Sequence, residues 1–595
     1  MAKVMGRGLS QVLYNYLPGK TFDVDGGRYI GQIIKVVGED IKDLQDRNKI
    51  FTQMKEYLDN WDEEYTKGFD NLANRRSNYI FEKPVSVKFD IFPLIYKCPK
   101  CKRVYTYKNY KDVKKKNSKL ICKNNKLCNE EKLRQLYHIA IHKCGAINGL
   151  YPLKPKDCKC ENWKKNIKLD DRQSQRLSDF RWVCDSCGSE TDLTYFCDSC
   201  DDGGIMTVVP HRASKSFYVH TIRSVDVAES PHKDSFKKDI VKYLNIEDEN
   251  NVSNRKSISK IIEDLPENMK NMLMQKLEEE KSKAFDFDSV DINKRPRLHE
   301  YMEIINDTGP MGVTSLTKHI KLIEDENPKQ SNILEEYKKK YYELGFEEIL
   351  LISKFPVVTS IFGWSRIDMR PEVETQNGTN RITINSFKYS SDTPGKIPIF
   401  VDNGQCEAIM FRLDPLKIIN WLRKNKITVE IDDENKDNAR KWILKSMGQV
   451  STYGDISRDD IVTQLIYTLV HSVSHIMMKG IAGISGFELI GLSEYLFPDQ
   501  LSFVIYSNKT DFSIGGMHTL FETQLDTLRK RILSQDLVTC VHDPYCIQEG
   551  GSCLACIQVP EISCDVFNKS LSRKVIYEQA HDNIEAFWKG KVIHD

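Results

Sequence analysis

The sequence concentrates its chemistry in CVHDPYCIQEGGSCLAC, Cys540 to Cys556, where four cysteines fall within seventeen residues. Cys540 and Cys546 bracket an Asp-Pro turn, and Cys553 and Cys556 form a Cys-x2-Cys pair. Zinc takes four tetrahedral ligands, usually thiolate or imidazole, and one Cys-x2-Cys turn supplies two of them. A second group is RWVCDSCGSETDLTYFCDSC. Its Cys184, Cys187, Cys197 and Cys200 are spaced C-x2-C-x9-C-x2-C, a zinc-ribbon arrangement, with Gly188 placed for the knuckle turn. A third is Cys98 and Cys101 with the wider pair Cys122 and Cys128, for which His138, His142, Cys144, Cys158 and Cys160 are possible substitutes. Two or three structural Zn2+ sites are therefore expected. A filled four-ligand shell leaves no position for a reactive water, so these sites are expected to hold the chain and not to hydrolyse a substrate. Cys564 reads as a buried thiol outside the ligand set.

A basic, aromatic run lies between Cys101 and Cys122. It carries Lys102, Arg103, Tyr105, Tyr107, Lys108, Tyr110, Lys111, Lys114, Lys115, Lys116 and Lys119. Lysines neutralise phosphate and release counterions, and tyrosine faces stack on bases. This is the expected nucleic-acid-binding segment, with a solvated lysine-rich finger as the plainer alternative. Few arginines or amides stand there to read base edges, so no sequence readout is expected.

Two further patterns are weaker. His471 and His475 in LVHSVSHIMMKG lie four apart, on one helix face, as in zinc peptidases. The glutamate that would follow the first histidine is Ser472, and Glu488 or Glu494 would have to complete any ligand set. Buried, hydrogen-bonded histidines are the expected reading, and a metalloenzyme the lesser one. LPGKT, Leu17 to Thr21, resembles the end of a phosphate loop, but Tyr14 stands where that loop needs its first glycine. A Pro-Gly turn is expected instead. No hydrolase elbow, kinase signature or helicase motor motif is found, so no enzymatic activity is expected.

These residues must be positioned by several domains, because 595 residues exceed one core. The composition, 40% hydrophobic and 29% charged, is that of a folded soluble protein. No secretory leader is read in MAKVMGRGLSQVLYNY, and no uniformly apolar run of about 18 residues is read as a span. The nearest, ILLISKFPVVTSIFGW, is broken by Lys354 and Pro356 and reads as buried strand and loop. A cytoplasmic, membrane-free location is expected, where seventeen cysteines favour metal over disulfides. Net charge is +2, yet Lys97 to Lys168 holds 21 Lys/Arg against 5 Asp/Glu, which suggests a polyanionic partner.

The expected class is α+β and multidomain, with zinc-ribbon-like N-terminal modules, a charged helical middle and a mixed α/β C-terminal region. The segments read as follows: 1–90, α+β; 91–210, basic and cysteine-rich; 211–350, strands followed by a charged helical insertion; 351–460, β-rich; 461–595, a zinc-binding C-terminal domain. Within these, IPIFVDNGQCEAIMFRLD is expected to be a hairpin, and a helix is expected to close the chain.

The C-terminal segment resembles the cysteine module of the DrmB family, subunits of the DISARM phage-defence system, a module shared with MrfA-type helicases. The matching residues are Cys540, Asp543, Pro544, Cys546, Gly550, Gly551, Cys553, Cys556, Pro560, Glu561, Ser563, Cys564 and Asn568. The helix with His471 is also similar, with Ser485, Gly486, Phe487 and Glu494 following it, as are Gly515 and Gly516, FGWSRI (Phe362 to Ile367) and the LPGKT turn. The likeness departs at His142 and Ala146, where family members carry a Cys-x2-Gly-His step. The resemblance implies a non-catalytic, zinc-binding subunit of a hetero-oligomer that contains a superfamily 2 DNA helicase and recognises invading DNA.

Overall fold

The computed structural model describes residues 3–6, 12–13, 16–24, 26–42, 44, 47–69, 72, 76–109, 113, 120–124, 128, 130–227, 295–375, 378–388, 395–431, 434–450, 455–508, 516–560, 563–578 and 584–593. The fold is mixed α/β and divides into two compact units. The first comprises 1–224 with 358–403, the second 225–357 with 404–595. Most of the charged segment expected to be helical, 228–294, lies outside the described residues.

The first unit is built on an antiparallel meander of Thr21–Val24, Tyr29–Asp40 and Tyr79–Ile91. Ile33, Val36, Val87 and Phe89 face one side of it and pack with Val12, Leu13, Phe217, Ile361 and Phe400. Alternation along the strands delivers these side chains to a single face. Beyond the meander stand three small sheets. They join Ile95–Lys97 with Val104–Thr106 and Arg134–Gln135, His138–Ile141 with Ile147–Gly149 and Thr207–Pro210, and Ile167–Asp170 with Arg181–Cys184 and Glu190–Thr191. Strands of two to four residues bury too little apolar surface to stand alone, and each sheet ends in cysteines.

LPGKT is a turn. Gly19 has φ +92° and leads into the strand Thr21–Val24, whereas a phosphate loop must open a helix. Arg366, from the FGWSRI stretch, is fully buried and donates to the carbonyls of Gly19 (2.9 Å), Gly145 (2.8 Å) and Ser216. Its guanidinium lies over Trp364, 5.0 Å from the ring centre. One side chain thus fastens two of the motif segments together.

The second unit surrounds the helix Ile461–Ser485, capped by the Asp460 carboxylate on the Thr463 amide and ended by Gly486 at φ +74°. The strands Leu492–Phe497 and Ser502–Ser507 pair with each other, and the second also pairs with Ala408 to Arg412. Helices Pro328–Glu343, Pro415–Lys424 and Leu525–Ile532 complete one large core. Among the described residues, Ile461–Ser485 is long and apolar enough to cross a membrane. Its most apolar window is 72% buried within the fold, the placing of a core helix.

Two local expectations are corrected. IPIFVDNGQCEAIMFRLD is one continuous strand, Ile397–Leu413, and not a hairpin. Gly404 is not among the residues with positive φ, so the Asn-Gly step does not turn. Long-range partners hold the chain extended: Ile397 to Phe400 pair parallel with Tyr79 to Glu82, and Ala408 to Arg412 pair with Ser502 to Tyr506. The closing helix is also absent among the described residues, where Arg573–Val575 forms only a 3-10 turn.

Candidate metal centres

Cys98 leaves the strand Ile95–Lys97 and enters a knuckle in which Lys102, at φ +61°, donates its amide to the Cys98 carbonyl. Cys101, Cys122 and Cys128 close on it, with Sγ–Sγ distances of 3.6 Å for Cys98–Cys128 and 3.5 Å for Cys101–Cys122. Tyr105 places its hydroxyl 3.2 Å from the Cys122 sulfur. Burial pushes the Cys128 thiol up to about 12, while Cys122 ends below the ordinary thiol value, its burial penalty outweighed by hydrogen bonds from Tyr105 and neighbouring groups.

The zinc-ribbon grouping of Cys184, Cys187, Cys197 and Cys200 is not formed. Cys184 and Cys187 meet Cys158 and Cys160, and Cys197 and Cys200 meet His142 and Cys144. Strand pairing sets this division. Ile167 pairs with Cys184, which brings the end of the Cys158–Cys160 loop to the first pair. Val208 pairs with Ala140, and Phe196 bridges Ile205, which brings His142 and Cys144 to the second. The overlooked signal was two donors one residue apart, His142-x-Cys144 and Cys158-x-Cys160.

In the mixed group, Cys197 lies 3.7 Å from both Cys144 and Cys200, and the His142 Nδ1 lies 3.6 Å from the Cys200 sulfur. Its Nε2 faces Asp202 at 3.6 Å, the carboxylate–histidine arrangement that orients a ligating imidazole. In the all-cysteine group, the Cys187 sulfur lies 3.7 Å from Cys158, and Gly188 takes φ +75° in the knuckle. A hydrogen bond with Ser189 holds Cys187 down at about 6, whereas Cys160, beside Cys187, is pushed up to about 12.

The C-terminal group unites Cys540, Cys546, Cys553 and Cys556. Sγ–Sγ distances are 3.5 Å for Cys540–Cys553, 3.7 Å for Cys546–Cys556 and 3.6 Å for Cys553–Cys556. Backbone amides point at the sulfurs, His542 at Cys540 (3.4 Å) and Cys553 at Cys556 (3.2 Å). Arg573 is fully buried beside it, donating to Asp543 (2.7 Å) and to the Val538 carbonyl (2.7 Å), and Lys479 donates to the Cys556 carbonyl.

Each of these four donor sets fits a divalent metal. Sulfurs 3.5–3.7 Å apart match the edge of a tetrahedron with metal–sulfur bonds of about 2.3 Å. Within each all-cysteine group one thiol is held low and another is driven up to about 12. Neighbouring thiolates repel, and a dication removes that penalty. The ion would supply cross-linking and no open coordination position.

The expected nucleic-acid segment divides in two. Lys102 is paired with Asp170 and Asp171 (both 2.8 Å), and Arg103 with Asp185 (2.8 Å). Tyr105 serves Cys122, and Tyr107 packs edge-on against Tyr96, while Lys108 is exposed. Tyr110, Lys111, Lys114, Lys115, Lys116 and Lys119 lie outside the described residues.

A family model described as "Domain of unknown function (DUF8724)" matches residues 8–218. The chain is similar to a protein of Bacillus paralicheniformis, "DISARM protein DrmB", at 22% identity over 260 residues. That alignment covers 41% of this chain and 43% of the relative, so it spans less than half of either protein. This similarity agrees with the likeness to DrmB read from the sequence motifs.

Proposed function

We propose that the chain is a metal-stapled, non-catalytic component of a DISARM-like antiviral system, acting beside a superfamily 2 DNA helicase and helping to hold or sense DNA. The single observation carrying this reading is the similarity to DrmB over 260 residues. Four donor groups suited to zinc support the structural role of the cysteines. The helicase partner, the hetero-oligomeric state and the DNA are expectations from the motif resemblance and from the basic run, and the cytoplasmic setting is an expectation from the sequence, in which no secretory leader or apolar span is read. Affinity purification from the native host under mild conditions, followed by mass spectrometry, tests the reading. A co-purifying superfamily 2 helicase is the expected result, and a chain that elutes alone overturns the subunit reading. The isolated chain is expected to hydrolyse no ATP.

A second reading rests on the charge of Lys97 to Lys168, 21 basic against 5 acidic residues. It makes the chain a stand-alone zinc-dependent scaffold for nucleic acid. Preference for RNA over DNA in salt-titrated binding favours it.

A further inference from the structure

The helix Ile461–Ser485 directs His471 and His475 to the strand Leu492–Phe497 and to the loop after the C-terminal cysteine cluster. There one donor atom each from His471, His475, Glu494 and Cys564 lies within 4.8 Å of the others. We propose that these four residues hold a fifth metal ion, zinc, in a closed structural site.

The His475 Nδ1 lies 2.9 Å from the carbonyl oxygen of Ile557, which can only accept, so Nδ1 carries the hydrogen. In a neutral ring Nε2 then presents a lone pair, and it points at the Glu494 Oε1 from 3.1 Å. The same oxygen faces the His471 Nε2 at 3.1 Å. The His471 Nε2 also lies 3.3 Å from the Cys564 sulfur. The His471 Nδ1 is buried with no hydrogen-bond partner among the described residues. A lone pair aimed at a carboxylate oxygen is repulsive unless a metal ion or a proton lies between them. The rival arrangement is a proton on Nε2, giving a buried imidazolium–carboxylate pair.

The surroundings are those of metal ligands. The Glu494 Oε2 accepts from the Ser474 hydroxyl (2.5 Å), and Oε1 accepts from the Asp565 amide (3.1 Å). The Ile557 carbonyl orients His475 as outer partners orient ligating imidazoles. The Cys564 sulfur accepts amides from Val566 (3.4 Å) and Asn568 (3.1 Å), as Cys540 and Cys556 accept amides within their own cluster. To wrap the sulfur, Phe567 and Asn568 take φ of +57° and +58°, a conformation costly for side-chain-bearing residues. The nitrogen–oxygen separations of 3.1 Å match the tetrahedral edge for metal–ligand bonds of about 2.0 Å, and the nitrogen–sulfur separation of 3.3 Å lies close to the longer edge set by a metal–sulfur bond of about 2.3 Å.

Charge selects the ion. One carboxylate and one thiolate balance one dication, so the assembled site is neutral. Neutrality matters because His471, His475 and Glu494 have no solvent exposure and Cys564 has 3%. Two imidazoles, a carboxylate and a thiolate are all zinc donors. Four protein donors shielded from solvent leave no open position for water, which makes the site structural and not peptidase-like.

Anomalous scattering at the zinc edge, from crystals of the full chain purified without chelator, tests the proposal. A peak among the four donor atoms, beside those in the four cysteine-rich groups, is expected. Peaks in those groups with none at Glu494 would overturn it in favour of the imidazolium pair. Metal analysis in solution is the second arm. Cys564→Ala is expected to reduce bound zinc from five equivalents to four. A folded Cys564→Ala chain with undiminished zinc also overturns it, and if that variant does not fold the anomalous map of the wild-type chain decides.

Discussion

The Nδ1 of His475 donates to the carbonyl of Ile557 across 2.9 Å, and Ile557 directly follows Cys556. The core helix and the C-terminal cysteine cluster therefore share a hydrogen bond one residue from a cluster cysteine. Disturbing either one moves the other.

Cys553→Ala is expected to cost one zinc equivalent and to destabilise the second unit. Zinc contributes roughly 10–16 kcal/mol to peptides that have no other core. This unit has a large core, so a loss of about 3 kcal/mol or more is expected, with falling solubility. Metal analysis and denaturant melting measure it. A variant with full zinc and unchanged stability would refute the structural role.

The cross-paired grouping has its own signature in metal counts. Cys187→Ala combined with Cys197→Ala strikes two groups and is expected to remove two zinc equivalents. A single zinc-ribbon site would lose one. Cys158→Ala combined with Cys187→Ala strikes one group, so one equivalent is expected to go.

Acid should weaken the first unit through His220. Its ring is buried, with Nδ1 2.8 Å from the Tyr57 hydroxyl and Nε2 2.9 Å from the Ser365 hydroxyl, which itself donates to the backbone carbonyl of Asp368. Burial lowers its pKa from 6.5 to about 3. The unfolded chain then binds the extra proton between those values. Stability is full above pH 6.5 and falls toward pH 3, by about 1.4 kcal/mol per unit for this one group. His220→Gln removes that share, so wild type and variant should converge as pH falls. Parallel pH–stability curves would exclude this assignment.

Nucleic-acid binding, if carried by the basic run, is expected to draw on Lys114, Lys115 and Lys116. Replacing Lys114, Lys115 and Lys116 by Gln is expected to flatten the salt dependence, by about 0.7–0.9 in log–log slope for each phosphate no longer neutralised. Lys102→Gln should act mainly on stability, because Lys102 is paired with Asp170 and Asp171. Equal slopes for wild type and the triple variant would move the interface elsewhere.

Much of this was legible in the chain because a knuckle is local. Cys98-x2-Cys101, Cys184-x2-Cys187 and Cys553-x2-Cys556 each close as tight turns within a few residues. Which half-sites combine was not legible, since short strands far apart in sequence decide it, as Ile167 with Cys184 does. The Asn-Gly step at 403–404 carried a turn signal that long-range pairing overrode. Cys564 looked spare because its partners lie on a helix about ninety residues earlier.

The helix Ile461–Ser485 sets the mutational tolerance of the second unit. It presents His471, Ser472, Ser474, His475 and Lys479 to Cys564, the Ser572 amide, Glu494, Ile557 and the Cys556 carbonyl respectively. One residue inserted after Tyr467 would rotate all five by about 100° together. Homologous chains should therefore vary freely in the loops around this helix while keeping its length between Tyr467 and Lys479 invariant.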